Sequence, residues 1–340
     1  MRTWTLLAAA LAAIAGPAAA GPADGDLVTS QPCVRQAPDY RAYVAGSVKA
    51  YQGEADLGAS LETPQPPAAG LPAVLMTERE YEASRKKPTA CRRILYGSDG
   101  LKVAGYIWEP PALRPGQTLP VVIALRGGNR DNGQYSAESQ RGMWSLVNAG
   151  FLVIGVQYRG ADGGEGADEF GGADVHDVLN AIALARKLPE ADARNVFLYG
   201  TSRGGMMVFL ALRQGAAVQA AAAVSPFTDL ALEARRRPEM EKNVWRRIIP
   251  GYDAHRAESL DQRSGVRVAR EVDLPPILLL HGTADWRADP RNSFEVAEAL
   301  QARGRPYALH VFDNDVHGLT WNWRERDRLA IGWFRSHMRR

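Results

Sequence analysis

The chain is poor in cysteine: its 340 residues hold only two, Cys33 and Cys91. Two thiols without His or Cys neighbours at ligand spacing argue against a zinc site. Charge of one sign is also scarce. Lys and Arg number 41 against 38 Asp and Glu, a formal net charge of +3. That gives no basis for nucleic-acid binding, which needs a concentrated basic stripe. The Arg235-Arg236-Arg237 run and the Arg246-Arg247 pair are local and read as a solvated helix face. Long apolar runs are missing too. Leu6–Ile14 is uncharged but shorter than the ~20 residues a spanning helix needs, and Gly16-Pro17 breaks it. No internal repeat is present, so an array of four-stranded blades ahead of the main domain is excluded.

What the chain does carry begins with an export signal. Arg2 supplies a positive start, Leu6–Ile14 the apolar stretch, and Ala18 and Ala20 a small-residue site. Together they predict a signal peptide over residues 1–20, cleaved before Gly21. The mature protein is then expected in the periplasm or outside the cell, with no stable membrane anchor. Export permits a disulfide. A Cys33–Cys91 bridge would pin the N-terminal segment to the start of the main domain, although sequence leaves the pairing open. Residues 21–90 read as an N-terminal extension. Short helices are expected at Asp39–Tyr51 and Thr77–Lys86, around an irregular connector at Thr63-Pro64-Gln65-Pro66-Pro67.

Across residues 91–340, strand and helix signals alternate. Arg93–Tyr96 and Lys102–Trp108 flank Gly97-Ser98-Asp99-Gly100, a hairpin signal. Continuous apolar runs follow at Val121–Leu125, Phe151–Val156, Asn195–Tyr199, Ala220–Val224, Ile277–Leu280 and Ala308–Phe312. Such runs suit parallel strands covered on both faces. Helical patterns occupy Tyr135–Ala149, Asp174–Leu188, Arg203–Arg213, Pro290–Arg303 and Arg324–Met338. The fold class is therefore α/β, a mostly parallel central sheet with helices on both faces. Residues 227–274 interrupt the rhythm and are expected as a small helical cap insertion over the sheet edge.

The chemistry concentrates in one stretch. The apolar strand Asn195–Tyr199 runs into Gly200-Thr201-Ser202-Arg203-Gly204 and then into a helical pattern. This Gly-x-Ser-x-Gly turn exposes a serine on a sharp bend between strand and helix. Ser202 is the candidate nucleophile. At the helix N-terminus the Arg203 N–H becomes a candidate oxyanion donor. An acid and a histidine should follow in that order. Asp285 follows the strand Ile277–Leu280 and is the candidate orienting acid. Its competitor Asp289 precedes Pro290 and fits a helix cap. His317 follows the last strand and is the candidate base, ahead of His281, which reads as a loop-packing residue. Gly127, in the loop Arg126-Gly127-Gly128-Asn129-Arg130, offers the second oxyanion donor.

Together these residues resemble the catalytic domain of the prolyl oligopeptidase family of serine peptidases, above all its acylaminoacyl-peptidase-like branch. The matching segments are Gly-Thr-Ser-Arg-Gly-Gly at 200–205, His-Gly-Thr-Ala-Asp at 281–285 and Val-His-Gly at 316–318. Gln157-Tyr158-Arg159-Gly160, Gly163-Gly164-Glu165-Gly166 and Phe170-Gly171-Gly172 resemble that family's stretch ahead of the nucleophile. The resemblance covers residues 91–340. It implies an α/β-hydrolase fold, a Ser202–Asp285–His317 triad, a peptide or small acyl substrate, and no cofactor. Two departures stand out. The substrate-filtering β-propeller of the large oligopeptidases is missing. Where some relatives place an oxyanion-binding tyrosine, this chain has Arg126, whose guanidinium either joins the oxyanion hole or leaves it to backbone N–H groups. A carboxylesterase on the same triad and a non-catalytic binding protein on the same fold are the alternative readings.

Overall fold

The computed structural model describes residues 21–33, 39–59, 65–86, 90–136 and 139–340. The leader expected over residues 1–20 lies outside the described residues. The apolar runs form strands, and a strand precedes them in the extension: β1 (Leu27–Pro32), β2 (Ala90–Ser98), β3 (Leu101–Glu109), β4 (Leu119–Leu125), β5 (Leu152–Val156), β6 (Ala191–Thr201), β7 (Ala220–Val224), β8 (Ile277–Gly282) and β9 (Tyr307–Phe312). They join in one sheet with the order β1-β2-β3-β5-β4-β6-β7-β8-β9. From β5 to β9 all neighbours are parallel, while β1, β2 and β3 add on antiparallel. The β2–β3 turn is the expected hairpin. Asp99 and Gly100 both take positive φ, 53° and 76°, as a two-residue turn matched to strand twist requires.

Strand periodicity divides the core. Ile123, Ile154, Leu198 and Leu279 face one side, packed with residues such as Leu184 of α4 (Val175–Lys187), Phe209 of α5 (Arg203–Arg213) and Leu300 of α11 (Arg291–Ala302). Val122, Val153, Phe197 and Leu278 face the other, packed with Leu146 of α3 (Gln140–Asn148) and Phe334 of α12 (Trp323–Ser336). Burial on both faces is why these strands read as unbroken apolar runs.

The extension adds an edge strand to the sheet, β1 pairing with β2, and the Cys33–Cys91 disulfide considered from sequence is formed, with Cα atoms 5.4 Å apart. Other features differ from expectation. The helix expected from Tyr135 begins only at Gln140. The backbone N–H and carbonyl of Tyr135 are instead held by the Gln157 side-chain amide, at 2.9 and 2.7 Å. Residues 227–274 are helical. They lead from β7 to β8, its neighbour on the β9 side, through α6 (Leu230–Arg236), α7 (Pro238–Met240), α8 (Arg246–Ile248), α9 (Arg256–Asp261) and α10 (Gly265–Glu271), and α10 packs on α5 and α11. Finally, the Arg235–Arg237 run is not a solvated face throughout. Arg236 pairs with buried Glu233 and with Asp289, and Arg237 lies over the Trp286 ring.

In the N-terminal segment α1 (Tyr40–Ala59), a 3₁₀ turn (Ala68–Ala73) and α2 (Glu78–Lys86) follow β1. Tyr51, Leu71, Leu75 and Val316 form a third, smaller apolar core between this segment and the loop after β9.

The disulfide closes a sequence separation of 58 residues. The double variant Cys33→Ser/Cys91→Ser should lose about 2–4 kcal/mol of stability, chiefly because its unfolded chain is less restricted. Denaturant unfolding of variant and oxidised wild type measures the difference; equal midpoints would contradict it.

Candidate active site

At Ser202 the chain turns from β6 into α5 with φ 59° and ψ −124°. A non-glycine residue held in so sparsely populated a region costs about 1–3 kcal/mol. Surrounding hydrogen bonds sustain it. Ser202 N–H donates to the Val224 carbonyl at 2.9 Å, and the Ser202 carbonyl accepts from Gly205 N at 2.8 Å and Phe227 N at 3.2 Å. Neither glycine of the motif can be replaced freely. A Cβ on Gly200 would overlap the Gly204 carbonyl, and one on Gly204 would overlap the Leu125 carbonyl. The turn thus needs strand and helix backbones in direct contact.

The acid and base arrive from β8 and β9. His317 Nδ1 lies 2.8 and 3.0 Å from the two Asp285 carboxylate oxygens. Asp285 also accepts from Arg287 N at 3.0 Å and Ala288 N at 2.9 Å. Burial alone would push its carboxyl up, but the neighbouring His317 and His281 imidazoles hold it well below the usual carboxylate range. Asp285 is therefore an anion, and it draws the Nδ1 proton of His317 toward itself. That leaves the Nε2 lone pair free to accept a proton. His281 is buried with both ring nitrogens engaged, Nδ1 by Ser293 Oγ at 2.7 Å and Nε2 by the Ala288 carbonyl at 3.0 Å. It packs the loop and supports Asp285. Asp289 has the structural task expected of it, accepting from Arg291 N at 2.9 Å beside the start of α11.

Two supporting residues were not singled out from sequence. Ser225, buried at φ 44°, donates its N–H to the Leu280 carbonyl and accepts the Gly318 N–H on Oγ at 3.0 Å. It links the end of β7 to the loop that carries His317. Asp315 is fully buried and accepts from Val316 N, Trp321 N, Asn322 N and Asn322 Nδ2 at 2.7–3.0 Å. It shapes the turn around His317. No spacing rule distinguishes Asp315 from exposed Asp313 two residues earlier, so no sequence signal marked it.

The loop after β4 passes beside the nucleophile. A Cβ on Gly127 would stand 3.1 Å from Ser202 Cβ and 3.6 Å from Ser202 Oγ. Glycine keeps that space beside Ser202 Oγ open. The Arg126 guanidinium, considered as an oxyanion partner, is engaged elsewhere. Nε donates to the Gln157 carbonyl at 2.8 Å, Nη1 to the Gly127 and Asn132 carbonyls at 3.1 and 3.0 Å, and Nη2 to the Arg130 carbonyl at 2.8 Å. A buried cation surrounded by backbone acceptors braces its own loop. The first helical amides, Arg203 N–H among them, have no intrahelical acceptor by the geometry of a helix start.

The Arg203 side chain is a structural element in itself. It is 1% exposed and bridges Asp168, through two bonds of 2.7 Å, and Asp174. Nη1 also donates to the Gly128 carbonyl at 3.1 Å, and the guanidinium lies over the Tyr158 and Phe170 rings. Burial would push the Asp168 carboxyl up, but Arg203 pulls it below its ordinary value. Gln157-Tyr158-Arg159-Gly160 contributes a second junction. Arg159 binds buried Asp177 and the hairpin residue Asp99 at 2.8 and 2.9 Å.

Residues 138–340 match the model of the prolyl oligopeptidase family. Among known proteins, the chain is 28% identical over 246 residues to the uncharacterized peptidase YtmA of Bacillus subtilis, covering 72% of this chain and 92% of that one. It is 29% identical over 241 residues to acylamino-acid-releasing enzyme 1 of Oryza sativa subsp. japonica, covering 65% of this chain but 30% of the relative. Two solved structures share the fold. A Mycobacterium tuberculosis puromycin-hydrolyzing peptidase matches with TM-score 0.65 at 23% identity, over 74% of this chain and 39% of its own. Pyrococcus horikoshii acylaminoacyl peptidase matches with TM-score 0.62 at 22% identity, over 77% and 44%. The chain thus spans nearly all of YtmA and less than half of the other three.

Replacing Asp285 with Asn should lower kcat roughly 10⁴-fold with the fold intact, because His317 loses the anion that fixes its tautomer; a loss under tenfold would contradict the assignment. Arg203→Met should cost about 3–5 kcal/mol, since it leaves two buried carboxylates without their cation. The depressed Asp168 carboxyl stabilises the fold above its unfolded pKa of about 4, and this contribution is lost as pH falls through the lower folded value. Acid unfolding of Asp168→Asn should accordingly show a shallower acid limb than wild type.

Proposed function

The chain belongs to the prolyl oligopeptidase family of serine peptidases and has the α/β-hydrolase fold, and on that premise we propose that it cleaves short peptides or related acyl bonds through an acyl-enzyme on Ser202. The observation that carries this reading is the His317 Nδ1–Asp285 contact of 2.8 Å, at the end of the sheet that also carries Ser202 on its strained turn. His317 Nε2 takes the Ser202 Oγ proton as Oγ bonds to the substrate carbonyl carbon. The oxygen that becomes negative is met by the Arg203 N–H and a backbone N–H of the Gly127 loop, where fixed donors act without reorganising. The C–N bond then breaks, and His317 gives its proton to the departing amine. Water repeats the sequence: His317 takes its proton, hydroxide oxygen bonds to the acyl carbon, and Ser202 Oγ leaves with the proton restored.

We place the mature protein in an exported compartment. The leader-like residues 1–20 and the Cys33–Cys91 disulfide support that placement. Among the described residues no helix is long and apolar enough to cross a membrane.

A fluorophosphonate probe should label wild type and not Ser202→Ala. Peptide anilides should be turned over by wild type, with a loss of roughly 10⁶-fold in the variant. Turnover of esters with no turnover of any anilide would replace the peptidase reading by an esterase one. Absence of labelling would remove both.

A further inference from the structure

Asp285 holds the His317 ring, but a base must also stand at a fixed distance from the serine it serves. A misplacement of about 1 Å between reacting groups can cost roughly 100-fold in rate. His317 lies on the loop after β9 and Ser202 on the turn after β6. The contacts between these two places converge on the next residue, Gly318. It takes φ 78°, in the left-handed region that glycine adopts without strain. The Cβ it lacks would stand 4.0 Å from Thr201 Cγ2, in contact with the residue before Ser202. Both polar groups of Gly318 are engaged. Its N–H donates to Ser225 Oγ at 3.0 Å, and its carbonyl accepts from Arg326 Nη1 at 2.8 Å. That N–H belongs to the peptide bond joining His317 to Gly318, so Ser225 restrains the backbone of the base itself.

Arg326 stands in the first turn of α12, with a side chain 17% exposed. Nε donates to Asp327 Oδ1 at 2.8 Å, and Nη2 lies 2.7 Å from the same oxygen. The carboxylate thereby aims the fork at Gly318. Arg326 also reaches β6. Burial pushes the Tyr199 hydroxyl up from its ordinary value, and Arg326 beside it draws it part of the way back. Tyr199 lies three residues before Ser202. One guanidinium therefore meets the strand that carries the nucleophile and the carbonyl that follows the base. Docking of α12 does not call for this charge. The helix already packs on the sheet through Phe334, whose ring lies 4.9 Å from that of Phe197, and a largely buried cation is costly to place.

We propose that Arg326 is a positioning residue, which with Ser225 clamps Gly318 and so holds His317 at working distance from Ser202; this rests on the reading of Ser202, Asp285 and His317 as the triad. Arg326 acts through the backbone and not on the substrate. Ser225 is the other jaw, tied in turn to β8 by its N–H on the Leu280 carbonyl at 2.8 Å.

The test measures inactivation by a fluorophosphonate probe over a range of probe concentrations, and kcat for a p-nitrophenyl ester per labelled site. Arg326→Met should lower the maximal inactivation rate and kcat about 100-fold, while the half-saturating probe concentration changes less than about threefold, because alignment and not binding is lost. Ser225→Ala, which frees the Gly318 N–H without removing a charge, should lower both rates about tenfold. Arg335→Met is the control for helix docking. It removes an arginine-to-carbonyl bond of 2.8 Å from the same helix to Ala149, and should leave both rates within about twofold of wild type. Thermal melting checks that the variants fold. If Arg326→Met does not, Arg326→Lys keeps a charge beside Asp327 without the fork that also holds Gly318, and about a tenfold loss is expected. Wild-type rates in the folded Arg326 and Ser225 variants, or equal impairment of Arg335→Met, overturn the clamp. A wild type inert to the probe overturns the triad and the clamp with it. If esters react while peptide anilides do not, only the peptidase reading fails, and the same two rates still decide the clamp.

Discussion

The constraint on which the site depends is the burial of Arg203 between Asp168 and Asp174. A buried cation is costly unless it is paired and hydrogen-bonded on several sides. Here the pairing draws three segments to one point. Arg203 begins the helix after the nucleophile, the two aspartates come from the loop after β5, and the Gly128 carbonyl comes from the loop after β4. Asp168 also accepts from Arg130 N and Phe170 N. Moving any one of these segments would leave a charge unanswered in a poorly solvated place. The strained Ser202 backbone persists because its surroundings are fixed in this way.

The proposed base is held by a more mixed set of contacts. Arg326 donates to the carbonyl of Gly318 at 2.8 Å. Asp285 fixes the imidazole, Asp315 gathers backbone amides, and Ser225 takes the Gly318 N–H. The last support is apolar, through Val316 in the third core. Arginine–carboxylate pairing thus organises the Ser202 side, whereas amide capture and packing join charge on the His317 side.

The proposed triad could be named from sequence because its chemistry imposes spacing and order that few other arrangements share. Ser202 lies between glycines on a strand-to-helix turn, Asp285 follows a buried strand, and His317 follows the last one. The parallel strands were legible because burial on both faces leaves unbroken apolar runs. β1 was not: all six of its residues are exposed and it carries no such run. The role of Arg126 stayed open because an arginine near a candidate serine looks the same in sequence whether it faces substrate or its own loop; its four backbone acceptors appear only in the fold. Asp315 and Ser225 were missed for a related reason. They act through backbone amides of residues brought close by folding, and no local pattern announces that.

The strand order has a consequence for how far the chain can be divided. Every member of the proposed triad lies C-terminal to β4, so the second half looks chemically complete. Yet β4 lies between β5 and β6 in the sheet, and its amides and carbonyls pair with both. A fragment beginning after β4 would carry all three proposed catalytic side chains around an empty slot in the middle of its sheet. The halves are complements, each holding backbone groups that only the other can satisfy. Activity would return, if at all, on mixing both pieces, as reassociation of one sheet and not as the work of an independent catalytic module.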